Sequence, residues 1–320
     1  MLACYRQLAQ ILATGRAAVL ATVVQTRGSV PREVGAKMLI CEDGKTLNTI
    51  GGGAGEAKVI QQARLVLQTG VKQAVEIDLT GAPDRDTHGV CGGRMQVWLE
   101  RWSGDGAREL VRQMLTELQA GRSLTVVTPF GVEQSPYCLE SGLDIELDQA
   151  FVEVLQPDPV LLIVGAGHVG EQLAKVATLV GFELWIQDDR SEWANLERFP
   201  QATQIFTQSI TETIAQLDPR AQLYIALVTR GYKHDLEALA AILNCHLPYQ
   251  YLGMIGSKRR VQQVYQALQE RGITASQLAT IHAPIGVEIG ALTPEEIAVS
   301  ITAELIQVRR CPDRRNICPS

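Results

Sequence analysis

No apolar run in this sequence is long enough to cross a membrane. The uninterrupted stretch Val160 to Val164 falls far short of the roughly 20 residues a spanning helix needs, so no membrane association is expected. An excess of positive charge is missing too: 29 lysines and arginines face 35 aspartates and glutamates, a net charge of −6. Without a basic run to neutralise phosphates, a nucleic-acid partner is not expected. There is also no C-x-x-C pair. The seven cysteines (4, 41, 91, 138, 245, 311 and 318) are scattered and odd in number. That excludes common zinc-ribbon and thioredoxin patterns and disfavours a disulfide framework; no metal site is expected, and the expected setting is the reducing cytoplasm. Met1-Leu2-Ala3-Cys4 looks like a lipoprotein cleavage site, but no charged and apolar signal region precedes it.

What is present is the material of a folded protein. With 46% hydrophobic and 20% charged residues, disorder is excluded. A length of 320 residues favours two domains of ordinary size. The seam is Leu155-Gln156-Pro157-Asp158-Pro159, because two prolines flanking an aspartate continue neither a helix nor a central strand. Domains of 1–155 and 160–320 follow.

Before the seam the pattern predicts a mixed α/β domain. A short helix carrying Leu8, Ile11 and Leu12 ends near Gly15, and strands run over 17–26 and 36–41, the latter turning at Asp43-Gly44. A helix spans about 55–67, strands 74–79 and 95–99 bracket a polar loop, and a helix at 107–119 and a strand at 124–128 follow. After the seam, strands at 160–164, 184–186, 222–228 and 251–255 alternate with helices at 165–180 and 236–243. Such alternation predicts a Rossmann-like, doubly wound parallel sheet. Thr293-Pro294-Glu295-Glu296 opens a further helix with a capping threonine, proline at N1 and glutamate at N3.

The motif with the clearest mechanism is Gly165-Ala166-Gly167-His168-Val169-Gly170, directly after a buried strand and opening a helix. Gly165 permits the tight turn, Gly167 lets backbone approach a pyrophosphate, and Gly170 lets helix pack on strand. Free N–H groups at the helix start face the anion. Asp188-Asp189 lie about 20 residues on, where a ribose-binding carboxylate belongs. An acid there favours a free ribose diol, whereas Arg190 is placed to pair with a 2′-phosphate. NAD, NADP and cytosine or guanine dinucleotides all satisfy a fingerprint that reads ribose and pyrophosphate.

Gly51, Gly52 and Gly53 precede a helix and read either as a phosphate or pterin cradle or as a flexible turn. Glu56 falls in that helix's first turn, where the helix dipole alone favours a carboxylate. Cys91, followed by Gly92 and Gly93, closes a polar loop holding Asp84, Asp86 and His88. It reads as a sulfur carrier, a ligand at a metal's edge, a thiolate nucleophile or an inert thiol. His168 sits beside any bound phosphate or fills a small-residue slot incidentally; His282 is catalytic or merely hydrogen-bonded in its loop.

Taken in order, these segments resemble the xanthine dehydrogenase accessory family (XdhC/CoxI), nearly end to end. The resemblance is carried by 26–32 (TRGSVPR), 35–38 (GAKM), 50–53 (IGGG), Glu56 and 91–93 (CGG) in the first domain. In the second it is carried by 165–170, 188–190 (DDR), 198–200 (RFP), 253–257 (GMIGS) and 282–304. It implies an N-terminal XdhC/CoxI-type domain, a C-terminal Rossmann domain, and a chaperone that binds the molybdenum cofactor, as molybdopterin or its dinucleotide. It also implies protection of that cofactor during sulfuration and its delivery to a xanthine dehydrogenase-type apo-hydroxylase, with a cysteine desulfurase as second partner and a homodimeric state. One departure stands out. The family commonly reads Gly-Gly-Gly-Cys-Val-Glu where this chain has 51–56 (GGGAGE), so Ala54 replaces the thiol. Direct sulfur handling is then left to Cys91. Two other readings fit the fingerprint: an NAD(P)-dependent oxidoreductase with His168 or His282 as acid or base, and a scaffold gated by NAD(P).

Overall fold

In the computed structural model the chain divides into two compact units, 1–156 and 157–320. The structure describes residues 2–80, 92–131, 133–139, 149–218, 222–245 and 247–311.

The first unit is organised by one strand with two apolar faces. β1 (Ala18–Arg27) begins with six consecutive buried residues, and successive side chains on a strand point to opposite faces. Val19, Ala21 and Val23 meet Val59, Ala63 and Val66 of α2 (Gly53–Thr69). Ala18 and Leu20 face the other way, onto α1 (Leu2–Ala13) and α3 (Gly104–Gln119). β2 (Lys37–Cys41), β3 (Thr46–Leu47), β4 (Gln73–Asp78) and β5 (Arg94–Trp102) complete an antiparallel sheet in the order β3-β2-β1-β5-β4. The Asp43-Gly44 turn does join β2 to β3, with Gly44 at a φ of +80°. A second sheet, β7-β6-β8, comprises β6 (Leu124–Pro129), β7 (Tyr137–Cys138) and β8 (Ala150–Leu155). A buried ion pair from Lys37 Nζ to Glu153 at 2.6 Å links β2 to β8.

The second unit is a parallel sheet with helices on both faces. β9 (Val160–Val164) and β12 (Leu223–Leu227) are buried at every residue. With β10 (Glu183–Gln187), β11 (Gln204–Phe206) and β13 (Tyr251–Met254) they form the order β11-β10-β9-β12-β13. Leu161 and Ile163 pack beneath α4 (His168–Leu179) and α9 (Pro294–Arg310). Val160, Leu162 and Val164 pack against α5 (Ile210–Gln216), α6 (Tyr232–Asn244), α7 (Lys258–Glu270) and α8 (Ala275–Leu278). The strand order reverses between β9 and β12, and in such sheets the ligand crevice lies beyond the carboxyl ends at that point.

Candidate functional site

The three glycines of the fingerprint divide into two kinds. Gly165 turns the chain out of β9 at a φ of +113°, and a Cβ there would stand 2.5 Å from the Val228 carbonyl oxygen. A Cβ on Gly170 would strike the Gly165 carbonyl oxygen. Those two are required by packing alone. Gly167 is different: its φ is −73°, open to any residue, and no atom lies within 4 Å of where its Cβ would be. It is also the N-cap of α4, and no side chain caps that helix. By contrast α5, α7, α8 and α9 are capped by Ser209, Ser257, Thr274 and Thr293. The start of α4 therefore presents unpaired N–H donors to open space, the arrangement that suits an anion.

Asp188, immediately after β10, holds this loop from below. One of its oxygens accepts from Ala166 N–H at 2.9 Å and Arg190 Nη2 at 2.8 Å; the other accepts from Arg190 N–H at 3.1 Å and Nε at 2.8 Å. Burial alone would raise the Asp188 pKa, but the Arg190 guanidinium and the two backbone N–H groups outweigh it and hold it at about 2. Arg190 is therefore committed to Asp188, and its guanidinium also stacks on Trp193 at 4.7 Å. Asp189 is the exposed member of the acidic pair and receives Arg230 Nη2 at 3.0 Å. Asp188, Asp189 and Arg230 line a cavity of about 260 Å³ together with Gly165, Ser209 and His234.

Thr229 of the cavity lining and Ala166 of the glycine loop are each held by further charged residues. Asp235, fully buried in the first turn of α6, accepts from the Thr229 hydroxyl at 2.6 Å and from Arg260 Nε at 2.6 Å. Burial raises its pKa against the opposing pull of Thr229 and Arg260. Arg198 donates to the Ala166 carbonyl at 3.0 Å, pairs with Glu171 at 2.9 Å, and stacks on Trp193 at 4.4 Å.

His168 is exposed at the first position of α4, its ring edge-on to Trp193 at 6.0 Å, beside the open face of the loop. His282 is tied elsewhere. Its backbone extends the sheet beyond β13, with His282 N–H donating to Leu252 at 2.9 Å and Met254 N–H to His282 at 2.9 Å. Its Nδ1 pairs with Glu304 at 3.0 Å, and Glu304 also accepts from the Tyr251 hydroxyl and from Gly286 N–H at 2.8 Å. Burial would raise the Glu304 pKa; His282, Tyr251 and Gly286 together bring it below its usual value. The Tyr251 hydroxyl is pushed well up, by burial first and Glu304 second. His282 thus fastens its loop to α9.

In the first unit the quoted motifs meet at one end of the sheet. Gly28 and Gly93 pack backbone against backbone, and a Cβ on Gly93 would run into the Ser29 carbonyl oxygen. A Cβ on Gly51 would stand 2.5 Å from Pro31 Cγ. Gly52 and Gly53 are open, at φ of +74° and +67°. Glu56 does more than complement the dipole of α2. It accepts from Ile50 N–H and Gly52 N–H, each at 3.1 Å, and from the Thr49 hydroxyl. Part of the expected cradle is thus filled by the chain's own carboxylate. Arg27, at the end of β1, and Arg32, in the loop that follows, are exposed. Gly92 continues from this corner; Cys91, with Asp84, Asp86 and His88, lies outside the described residues. Among the described residues, no group of three or more histidine, cysteine, aspartate or glutamate side chains is arranged to hold a metal ion.

Residues 161–305 match the XdhC Rossmann domain, and residues 11–78 match the XdhC and CoxI family. The chain belongs to the XdhC and CoxI family. A crystal structure of a xanthine dehydrogenase (BH1974) from Bacillus halodurans superposes on it with a TM-score of 0.82 at 26% identity, over 98% of this chain and 97% of that one. Among curated relatives, a probable xanthine dehydrogenase subunit of Bacillus subtilis is 27% identical, covering 92% of this chain and 93% of that protein. The molybdenum cofactor insertion chaperone PaoD of Escherichia coli is 26% identical over 94% and 86%. The Escherichia coli protein YqeB is 30% identical over 91% of this chain, which spans only 43% of YqeB. Set within the XdhC and CoxI family, Ala54 is exposed in the first turn of α2, so a thiol at that position would face solvent. Gly55 is buried, with room for no Cβ: Ile77 Cγ2 would lie 2.7 Å away. Strand β4 therefore packs directly on the helix where the family pattern carries valine.

Proposed function

We propose that the chain is a maturation factor that binds the molybdenum cofactor and delivers it to an apo-hydroxylase of the xanthine dehydrogenase type. Family membership and the likeness to a cofactor insertion chaperone support that class of role. The observation that carries the binding half is Gly167. Its absent side chain serves no packing or backbone need, and it opens an uncapped helix start. Room for a phosphate against backbone N–H groups is the physical account of such a glycine. In this reading residues 165–170 hold the phosphate end of a nucleotide. Within the first unit, taken by itself, the open Gly52-Gly53 turn and exposed Arg27 and Arg32 are the candidate for an anionic ligand. Ala54 carries no sulfur, so sulfur transfer falls to Cys91 or to the partner desulfurase.

The test is to identify what the protein carries when purified from a host that makes molybdenum cofactor. After denaturation and oxidation, the extract is scanned for pterin fluorescence and nucleotide mass. Stoichiometric pterin is expected. A nicotinamide nucleotide without pterin would replace this reading with an NAD(P)-dependent oxidoreductase or an NAD(P)-gated scaffold, for which the exposed His168 beside the loop is the available acid or base.

A further inference from the structure

Resting on the reading of the second unit as a nucleotide site, we propose that Asp189, and not Asp188, reads the ligand's ribose. The site then selects a ribonucleotide carrying both a phosphate and a free 2′,3′-diol. A carboxylate offers about four acceptor positions. On Asp188 four donors already fill them: Ala166 N–H, Arg190 N–H, Arg190 Nε and Arg190 Nη2. The Asp188 side chain is 5% exposed. A ribose hydroxyl reaching it would have to unfasten either the glycine loop or the arginine. Asp188 is a positioning residue: it acts on the ligand through the loop it holds.

Asp189 has the opposite character. Its side chain is 53% exposed, it lines the same cavity, and among the described residues one of its oxygens is engaged, by Arg230 Nη2 at 3.0 Å. Arg230 reaches it from the far side of the crevice, after β12, while its Nε donates to His234 Nε2 at 2.9 Å and its Nη1 lies 3.9 Å from Asp188, at the outer limit of an ion pair. An ion pair this open to water is weak and exchangeable. A phosphate at the start of α4 offers the guanidinium a stronger, two-pronged partner. Arg230 turning to that phosphate frees the second Asp189 oxygen, so both can receive the diol of the same molecule. A nucleoside without phosphate leaves one Asp189 oxygen on Arg230.

The experiment measures, by titration calorimetry, the binding of ADP, CDP and GDP, each beside its 2′-deoxy counterpart. The proteins are wild type, Asp189→Ala and Gly167→Asp. For the best-bound base, wild type is expected to prefer the ribonucleotide by about tenfold, the scale of a lost hydrogen bond to a charged group. Asp189→Ala is expected to bind both forms equally, at the wild-type deoxy level, with an unchanged melting temperature. Gly167→Asp is expected to bind neither. A ribose preference that survives in Asp189→Ala, or no preference in wild type, would overturn the assignment while leaving the nucleotide site standing. Failure of all six compounds to bind wild type would overturn the nucleotide reading, and this assignment with it.

Discussion

A methyl group at Gly170 has nowhere to go, whereas one at Gly167 points into open space. That contrast separates stability from function at single residues. Gly170→Ala is expected to lower stability by about 1–3 kcal/mol, the cost of forcing atoms into a packed contact, measured by denaturant unfolding. Gly167→Asp should leave the melting temperature within a degree or two of wild type and remove any co-purifying nucleotide; retention at wild-type level would sink the phosphate site. Asp188 adds a pH dependence. Its pKa is about 2 in the folded chain against an ordinary 3.8. The depressed value contributes stability that is complete above about pH 4 and is lost as pH falls through 3.8 towards 2, about 2 kcal/mol in all. Melts of wild type and Asp188→Asn should therefore differ at pH 7 and converge only as pH falls below about 2.

Elements differ in how openly the sequence declares them. The five-residue apolar run of β9 and its following glycines are legible because a buried parallel strand needs no alternation. α7 was readable in principle: Ser257 caps it, and Val261, Val264 and Leu268 sit at helical spacing. β11 and α5 were not, because three and seven residues carry too little periodicity. Roles that depend on contacts across the chain were hidden altogether. The fingerprint located Asp188 beside the loop, yet its grip on Ala166 spans 22 residues and follows no motif. The Arg260–Asp235 pair spans 25 residues, and the Lys37–Glu153 pair joins elements on two sheets. Burial lowers the Lys37 pKa and Glu153 opposes that shift. Removing the partner with Glu153→Ala leaves a buried ammonium and is expected to cost about 3–5 kcal/mol. A double replacement of both residues by apolar ones should recover most of that loss, as read by chemical denaturation.

Over the whole molecule, the described cysteines are free thiols in contrasting settings. Cys4 is fully buried, and desolvation raises its pKa; burial also raises those of Cys41 and Cys138. Cys245 is exposed. Brief alkylation of the native protein at pH 7.5, followed by peptide mapping, should mark Cys245 and leave Cys4 untouched until denaturant is added. Early modification of Cys4 would contradict the packing of α1 against β2. Each unit also carries a glycine turn fastened by a carboxylate of its own, Glu56 in one and Asp188 in the other. Turns held in this way keep their shape when nothing is bound, so little ordering cost falls on an incoming ligand. In the proposed role a carrier must also part with its cargo, and a chain built this way would empty without collapsing. The same copy would then stand ready for another round of loading, reusable in the manner of a tool and not consumed like a reagent.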